Sequence, residues 1–323
     1  MQELADQSET TDLAVIDPPA DQPEKKSGWM VRLVLYLVLI AAALAYPVMV
    51  LLSHQVSNRI PQTMPNQQVW ADPKIGASVE LLERELYFGW ASSQPLWHPQ
   101  SRLTAMPAFQ AGIGDLISAM SLKRSEPQGM QAPDSDLRIA HSLLGDFQDK
   151  DSVDRVRAAI EALKRFDGRK ARFLLEDRSD TDLLLRDISV YRGVLGASII
   201  DLRSTAAEAS RGVFNREDVR LYFHTKGELH AIGVMLYATE PEDFDIEGFD
   251  EAIITARTAL DRAALPSPIT VSNPQPGSFA IGGNDIMELA YLTMEADRAL
   301  ADLERLLIGA QPVETPVEKD NAA

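Results

Sequence analysis

The sequence predicts a mainly α protein: an N-terminal single transmembrane helix followed by an all-helical, bundle-like extracytoplasmic domain. Three observations predict it. Leu33 to Leu52 runs twenty residues without a charge. Beyond it, apolar residues recur at helical spacing between Pro, Gly and Asp breaks. Strand signals are few, and no internal repeat stands out. The implied organisation is an acidic disordered tail over 1–28, a membrane helix over 29–53, a spacer over 54–68, a helical domain over 69–308 and a second disordered tail over 309–323.

At about 1.5 Å per residue the apolar run measures roughly 30 Å, the thickness of a bilayer's hydrocarbon core. Ala43-Leu44-Ala45 resembles a signal-peptide cleavage site, but Tyr46 to Leu52 carries the apolar run onward, which argues for a retained anchor. Trp29 and Tyr46 fall where interfacial aromatics sit, and Pro47 can kink the helix near one end. Lys25, Lys26 and Arg32 crowd the N-terminal flank, whereas Arg59 stands alone on the other. Positive residues stay cytoplasmic, so the N-terminus belongs inside and the domain outside. Pro18, Pro19 and Pro23 with no aromatics mark the tail as disordered, and Pro61 and Pro65 mark Ser53 to Gln68 as a spacer.

Within the domain, Pro73 opens a helix to about Trp90, with Val79, Leu82, Leu86 and Trp90 on one side. Pro95, Pro99 and Pro107 make Ser92 to Met106 a loop, and Ala108 to Leu122 a second helix interrupted by Gly112 and Gly114. Asp136 to Phe147 and Val153 to Phe166 form a helical pair. Thr181 to Ala209 carries a long stripe through Leu184, Ile188, Tyr191, Leu195, Ile199 and Leu202. Asn215 caps a helix to about Ala238, and Ile246 to Ala264 is another. Leu265 to Gly283, rich in Pro and Gly, is irregular, with weak β signals at Ile269 to Val271 and Phe279 to Ile281. The last helix, Asn284 to Leu307, places Ile286, Leu289, Thr293, Ala296, Leu300, Leu303 and Leu307 at steps of three and four. That seam either closes the bundle, the favoured reading, or joins two chains in a homo-oligomer.

Net charge is −17, and the first 53 residues account for only −4 of it. Nucleic acid is excluded as a partner, because phosphate backbones demand clustered Lys and Arg. The largest basic groups are Lys164-Arg165 and Arg169-Lys170-Ala171-Arg172, with Glu176 and Asp177 just beyond. The second can meet a phosphate or lipid headgroup, although a solvated helix edge is the simpler reading. The chain has no cysteine, so neither disulfides nor thiolate metal sites contribute and stability comes from packing.

Chemistry-bearing patterns fall short of their requirements. His224, Glu228 and His230 stand in HTKGELH, but His230 lies about 200° round a helix from Glu228, so the three cannot meet one ion. They read as polar residues on a helix surface. Gly112-Ile113-Gly114-Asp115 lacks the third glycine and the preceding strand of a dinucleotide fingerprint, and reads as a close helix contact. Gly282-Gly283-Asn284 precedes Asp285 and Glu288 and reads as a helix cap. No serine stands in a nucleophile elbow. His98, beside Trp97 in a loop, is solitary, and Glu242, Asp243, Asp245 and Glu247 lack a calcium-loop pattern. No catalytic residue, cofactor site or metal site is expected.

The N-terminal anchor, Trp70-Ala71-Asp72-Pro73 at a helix start, the helix around Val219-Arg220-Leu221-Tyr222-Phe223 and the Ser278-Phe279-Ala280 loop before the last helix together resemble the proteobacterial inner-membrane domain-of-unknown-function family numbered 2333. The resemblance covers most of the chain after Trp29. It implies a bacterial inner membrane and a periplasmic helical domain, and it carries over no catalytic residues. The expected role is binding or scaffolding among envelope proteins. A carrier or sensor of a small amphiphile, with its site under the Pro-rich loop, comes second and an envelope hydrolase third.

Overall fold

The computed structural model describes residues 27–52, 56–62, 69–95, 97–127, 132–145, 152–175, 179–208, 215–268, 271–274 and 283–310. The chain divides into two compact units, Met1–Pro47 and Val48–Ala323. Of the tails expected over 1–28 and 309–323, residues 1–26 and 311–323 lie outside the described residues, and residues 27–28 and 309–310 belong to helices.

Helix α1 (Ser27–Leu52) carries the N-terminal apolar run. Its side chains from Trp29 to Ala45 are exposed on every side, Leu33 among them. Among the described residues no helix is long and apolar enough to cross a membrane. The described side chains of α1 break after Ala45, and those of Tyr46, Pro47 and Leu52 lie outside the described residues. A helix stands at the expected place.

Eight further helices are described in the second unit: α2 (Pro73–Phe88), α3 (Ala105–Ser125), α4 (Ser135–Leu144), α5 (Ser152–Lys170), α6 (Asp180–Ala207), α7 (Arg216–Tyr237), α8 (Phe249–Ala264) and α9 (Asp285–Ala310). Side-chain caps define several starts. The Asp72 carboxylate accepts from the Lys74 and Ile75 N–H groups with Pro73 in the first turn, Asp134 caps α4, Ser179 caps α6 and Asn215 caps α7. Among the described residues there is no strand; Val271 of the first weak β signal is described without one, and Ile269, Thr270 and Phe279 to Ile281 lie outside them.

Helix α7 is the centre of the bundle, buried almost continuously from Tyr222 to Leu236 and packed against α2, α3, α6 and α8. Its closest approach is to α3, which is one unbroken helix rather than one interrupted at Gly112 and Gly114. Gly112 instead lies against the His224 turn of α7, as Gly227 lies against the Phe109 turn of α3. Without Cβ atoms there, the two backbones can meet.

The α9 seam is internal. Ile286, Leu289, Leu300, Leu303 and Leu307 are all buried, with Thr293 and Ala296, and α9 packs against α6 and α8. These residues close the bundle, as the favoured reading of the seam expects. The described part of the spacer is also docked rather than extended. Ile60 is buried over Gly233 on α7, and the Asn58 side chain accepts from Lys226 at 2.8 Å. Residues 56–62 thus belong to the domain, whose boundary lies earlier than Val69. At the other end α9 continues to Ala310, into the segment expected as tail.

Candidate functional site

The buried charges of the domain converge where α2, α3, α5 and α6 meet. Asp72 caps α2 through Oδ1, which leaves Oδ2 to accept from Arg124 Nη1 at 2.8 Å and Lys170 Nζ at 3.1 Å. Arg124 in turn donates from Nε and Nη2 to Asp187 at 2.7 and 2.6 Å, and Lys74 reaches Asp187 at 3.0 Å. Burial raises the pKa of Asp72 and Asp187, but Arg124 and Lys74 outweigh it at both, joined at Asp72 by Lys170, and hold the carboxyls below their usual range. Asp167 accepts the Asp72 N–H at 2.8 Å. The guanidinium therefore has carboxylate partners on three nitrogens, an arrangement that ties four helices together.

A second polar cluster follows α7. His224 Nε2 lies 2.9 Å from Asp115 Oδ2, its Nδ1 lies 3.3 Å from Glu228 Oε1, and Glu228 Oε2 accepts from the Ser198 hydroxyl at 2.5 Å. Burial pushes the Glu228 carboxyl up to about 7. Burial lowers the His224 pKa, yet the hydrogen bond it donates to Asp115 and the charge of Glu228 raise it on balance. His230 faces elsewhere, with Nε2 2.8 Å from Arg84 Nη2 and its ring 5.5 Å from Phe109. Burial first, then Arg84 and Lys226, bring it down to about 3, so it is neutral. Lys226 donates to Asn58 and, at 2.6 Å, to the Pro266 carbonyl; burial lowers its pKa to about 8.

The expectation of surface polar residues fails for Glu228 and His230, both of which are buried. The helix that carries them is central, so its polar groups find partners on other helices. His224 and Glu228 do share a face and His230 does not. Ser198 meets a carboxylate directly, whereas acyl transfer places an imidazole between serine and acid. Among the described residues no three His, Asp or Glu side chains are arranged to hold a metal ion.

The third feature is an open cleft of about 310 Å³ between the C-terminal ends of α3 and α5 and the N-terminal ends of α4 and α6. Phe166, Leu174, Leu175 and Leu183 supply an apolar wall, and Arg169 and Lys170 a cationic edge. Arg169 pairs with Asp134 at 2.7 Å and Asp136 at 2.9 Å, while its Nε–H is buried without a partner among the described residues. The Arg169-Lys170 group is thus not simply a solvated helix edge. Elsewhere, His98 caps a short 3-10 turn by accepting from the Gln100 N–H, and Asn284 accepts from the Met287 N–H, a helix-capping role.

Asp72, Arg124, Asp187, Ser198 and Asp115 were not singled out by sequence reasoning as a set. The one local signal among them is Asp72-Pro73, a cap followed by a first-turn proline. No protein-family model, curated protein or solved structure matches the chain.

Proposed function

We propose that this is a membrane-anchored helical protein that works by binding other components of a bacterial envelope rather than by catalysis. The observation that carries the reading is α1, whose side chains from Trp29 to Ala45 are exposed all round although all but Arg32 are apolar. A helix apolar on every face belongs in a bilayer or a protein core. In the sequence the uncharged run Leu33 to Leu52 that this helix carries would measure about 30 Å, the thickness of a hydrocarbon core. The flanking Lys25, Lys26 and Arg32 favour a cytoplasmic N-terminus and a periplasmic domain.

The non-catalytic part of the reading is supported by how the buried ionisable groups are engaged. Arg124, Asp187, Glu228 and Lys226 each satisfy another residue of the fold. Binding to a partner is supported by exposed Met287 and Tyr291, which with Met294 and Arg203 line an apolar hollow on the outer side of α9.

Two measurements test the reading together. The full chain should resist alkaline carbonate extraction from membranes. A reporter active only in the periplasm, fused after Pro65, should be active. Extraction by carbonate, or activity of a cytoplasmic reporter at that site, overturns the reading.

A further inference from the structure

Helix α5 ends in a Schellman motif. The Leu174 N–H donates to the Arg169 carbonyl at 3.0 Å and the Phe173 N–H to the Lys170 carbonyl at 2.9 Å, with Phe173 in the left-handed conformation at φ 56°. Glycine is the residue suited to that position, because a Cβ is crowded there. Phe173 brings no compensating burial, since it is 94% exposed, and Leu174 after it is 65% exposed. A strained, solvent-facing aromatic is unfavourable for the folded chain taken alone, and residues held in such conformations cluster at functional sites.

The motif stands where the cleft opens. Leu174 and Leu175 continue the apolar wall of Phe166 and Leu183, and the turn's own Arg169 and Lys170 provide the cationic edge. Lys170 shares its one carboxylate, Asp72, with Arg124, and the buried Arg169 Nε–H has no acceptor among the described residues. The cleft therefore pairs an apolar surface with one ammonium, Lys170, whose carboxylate is shared, while Asp134 in the lining is taken up by Arg169. About 310 Å³ is at the low end for small-molecule sites, room for one acyl chain rather than two.

We propose that this cleft binds a single-chain amphiphile with an anionic headgroup, its oxygens at Lys170 Nζ and its chain on Phe166, Leu174 and Leu175, with Phe173 closing over it. None of the described residues of the Pro-rich 265–283 segment lines the cleft. The proposal stands apart from the anchor reading: carbonate extraction reports on the helix and the following experiment on the cleft.

The full chain is placed in phosphatidylcholine nanodiscs with a laurate analogue bearing a diazirine, irradiated, and mapped by mass spectrometry. Label is expected on the peptide containing Phe166 to Leu183. Unlabelled laurate or dodecyl phosphate should compete it away, and the better competitor identifies the headgroup as carboxylate or phosphate. Dodecyltrimethylammonium should compete about tenfold less well, since it offers the wrong charge. Lys170→Gln and Leu174→Asp should each lower labelling about fivefold. Phe173→Gly should melt at a higher temperature and label less. Label confined to α1, equal competition by the cation, or unchanged labelling in these variants overturns the proposal.

Discussion

Gly112 and Gly227 are reciprocal contacts across the α3–α7 crossing. A Cβ added to Gly112 would lie 2.1 Å from the His224 carbonyl oxygen, and one added to Gly227 would lie 2.1 Å from the Phe109 carbonyl oxygen. Both obstacles are backbone, so neither can swing aside. Gly112→Ala or Gly227→Ala should each cost about 3 kcal/mol or more by denaturant unfolding, because the central helix must move. Gly193→Ala supplies the control. Nothing lies within 4 Å of its added Cβ, and the substitution should stabilise by about 0.5–1 kcal/mol.

Arg124→Met should cost about 3–5 kcal/mol, since it leaves the buried Asp72 and Asp187 short of a cation. The double variant Arg124→Met, Asp187→Leu should lose less than the two single losses summed, because it removes both ends of the pair. A double-mutant cycle by thermal unfolding checks this. Strict additivity would mean that the two groups do not interact.

These interactions mark the limit of what the sequence makes legible. Stripes are visible because they are local: Leu184, Ile188, Tyr191, Leu195 and Leu202 on α6 and Ile286 to Leu307 on α9 lie on buried faces as their spacing predicts. Helix α7 breaks that logic. Its centre is buried nearly all round, so Glu228 and His230 read as surface residues although they are core, as is Lys226 beside them. Their partners Asn58, Ser198 and Arg84 lie 168, 30 and 146 residues away along the chain. No periodicity encodes such pairs. For the same reason the Asp72–Arg124–Asp187 cluster is invisible before folding, with separations of 52 and 63 residues. Replacing His224, Glu228 and His230 together with alanine would accordingly test the core before it tested any function.

Glu228 makes stability depend on pH with a definite sign. Its folded pKa of about 7 lies above the ordinary 4.5, so the folded state binds the extra proton between those values. Its contribution is fully present below about 4.5 and is lost as pH rises through about 7. Glu228→Gln keeps an acceptor for Ser198 and removes the titration. The stability of the parent relative to Glu228→Gln should fall by on the order of 2–3 kcal/mol between pH 5 and 8. His230 contributes with the opposite sign, gaining as pH rises through about 3 to 6.5, but it is common to both proteins and cancels in the difference. A pH-independent difference would show that Glu228 is ordinary in the folded state.

The docked strap over 56–62 has the most direct consequence for how the domain is made. Ile60 is buried against α7 at Gly233, and Lys226, which has no carboxylate among its described contacts, shares its hydrogen bonds between Asn58 and Pro266. A fragment spanning residues 69–310 loses the isoleucine, about 1.5–3 kcal/mol of burial, and strips a side-chain acceptor from a buried ammonium, about 1 kcal/mol more. A fragment spanning 56–310 keeps both. Both should show helical far-UV circular dichroism, with the shorter less stable by on the order of 3 kcal/mol in urea and its lysine more reactive toward amine reagents. Asn58→Ala in the longer fragment should reproduce the increase in Lys226 reactivity without the full loss of stability, because Ile60 stays in place. Equal midpoints for the two fragments would mean that residues 56–62 are a passive linker, and that α7 holds its buried lysine without them.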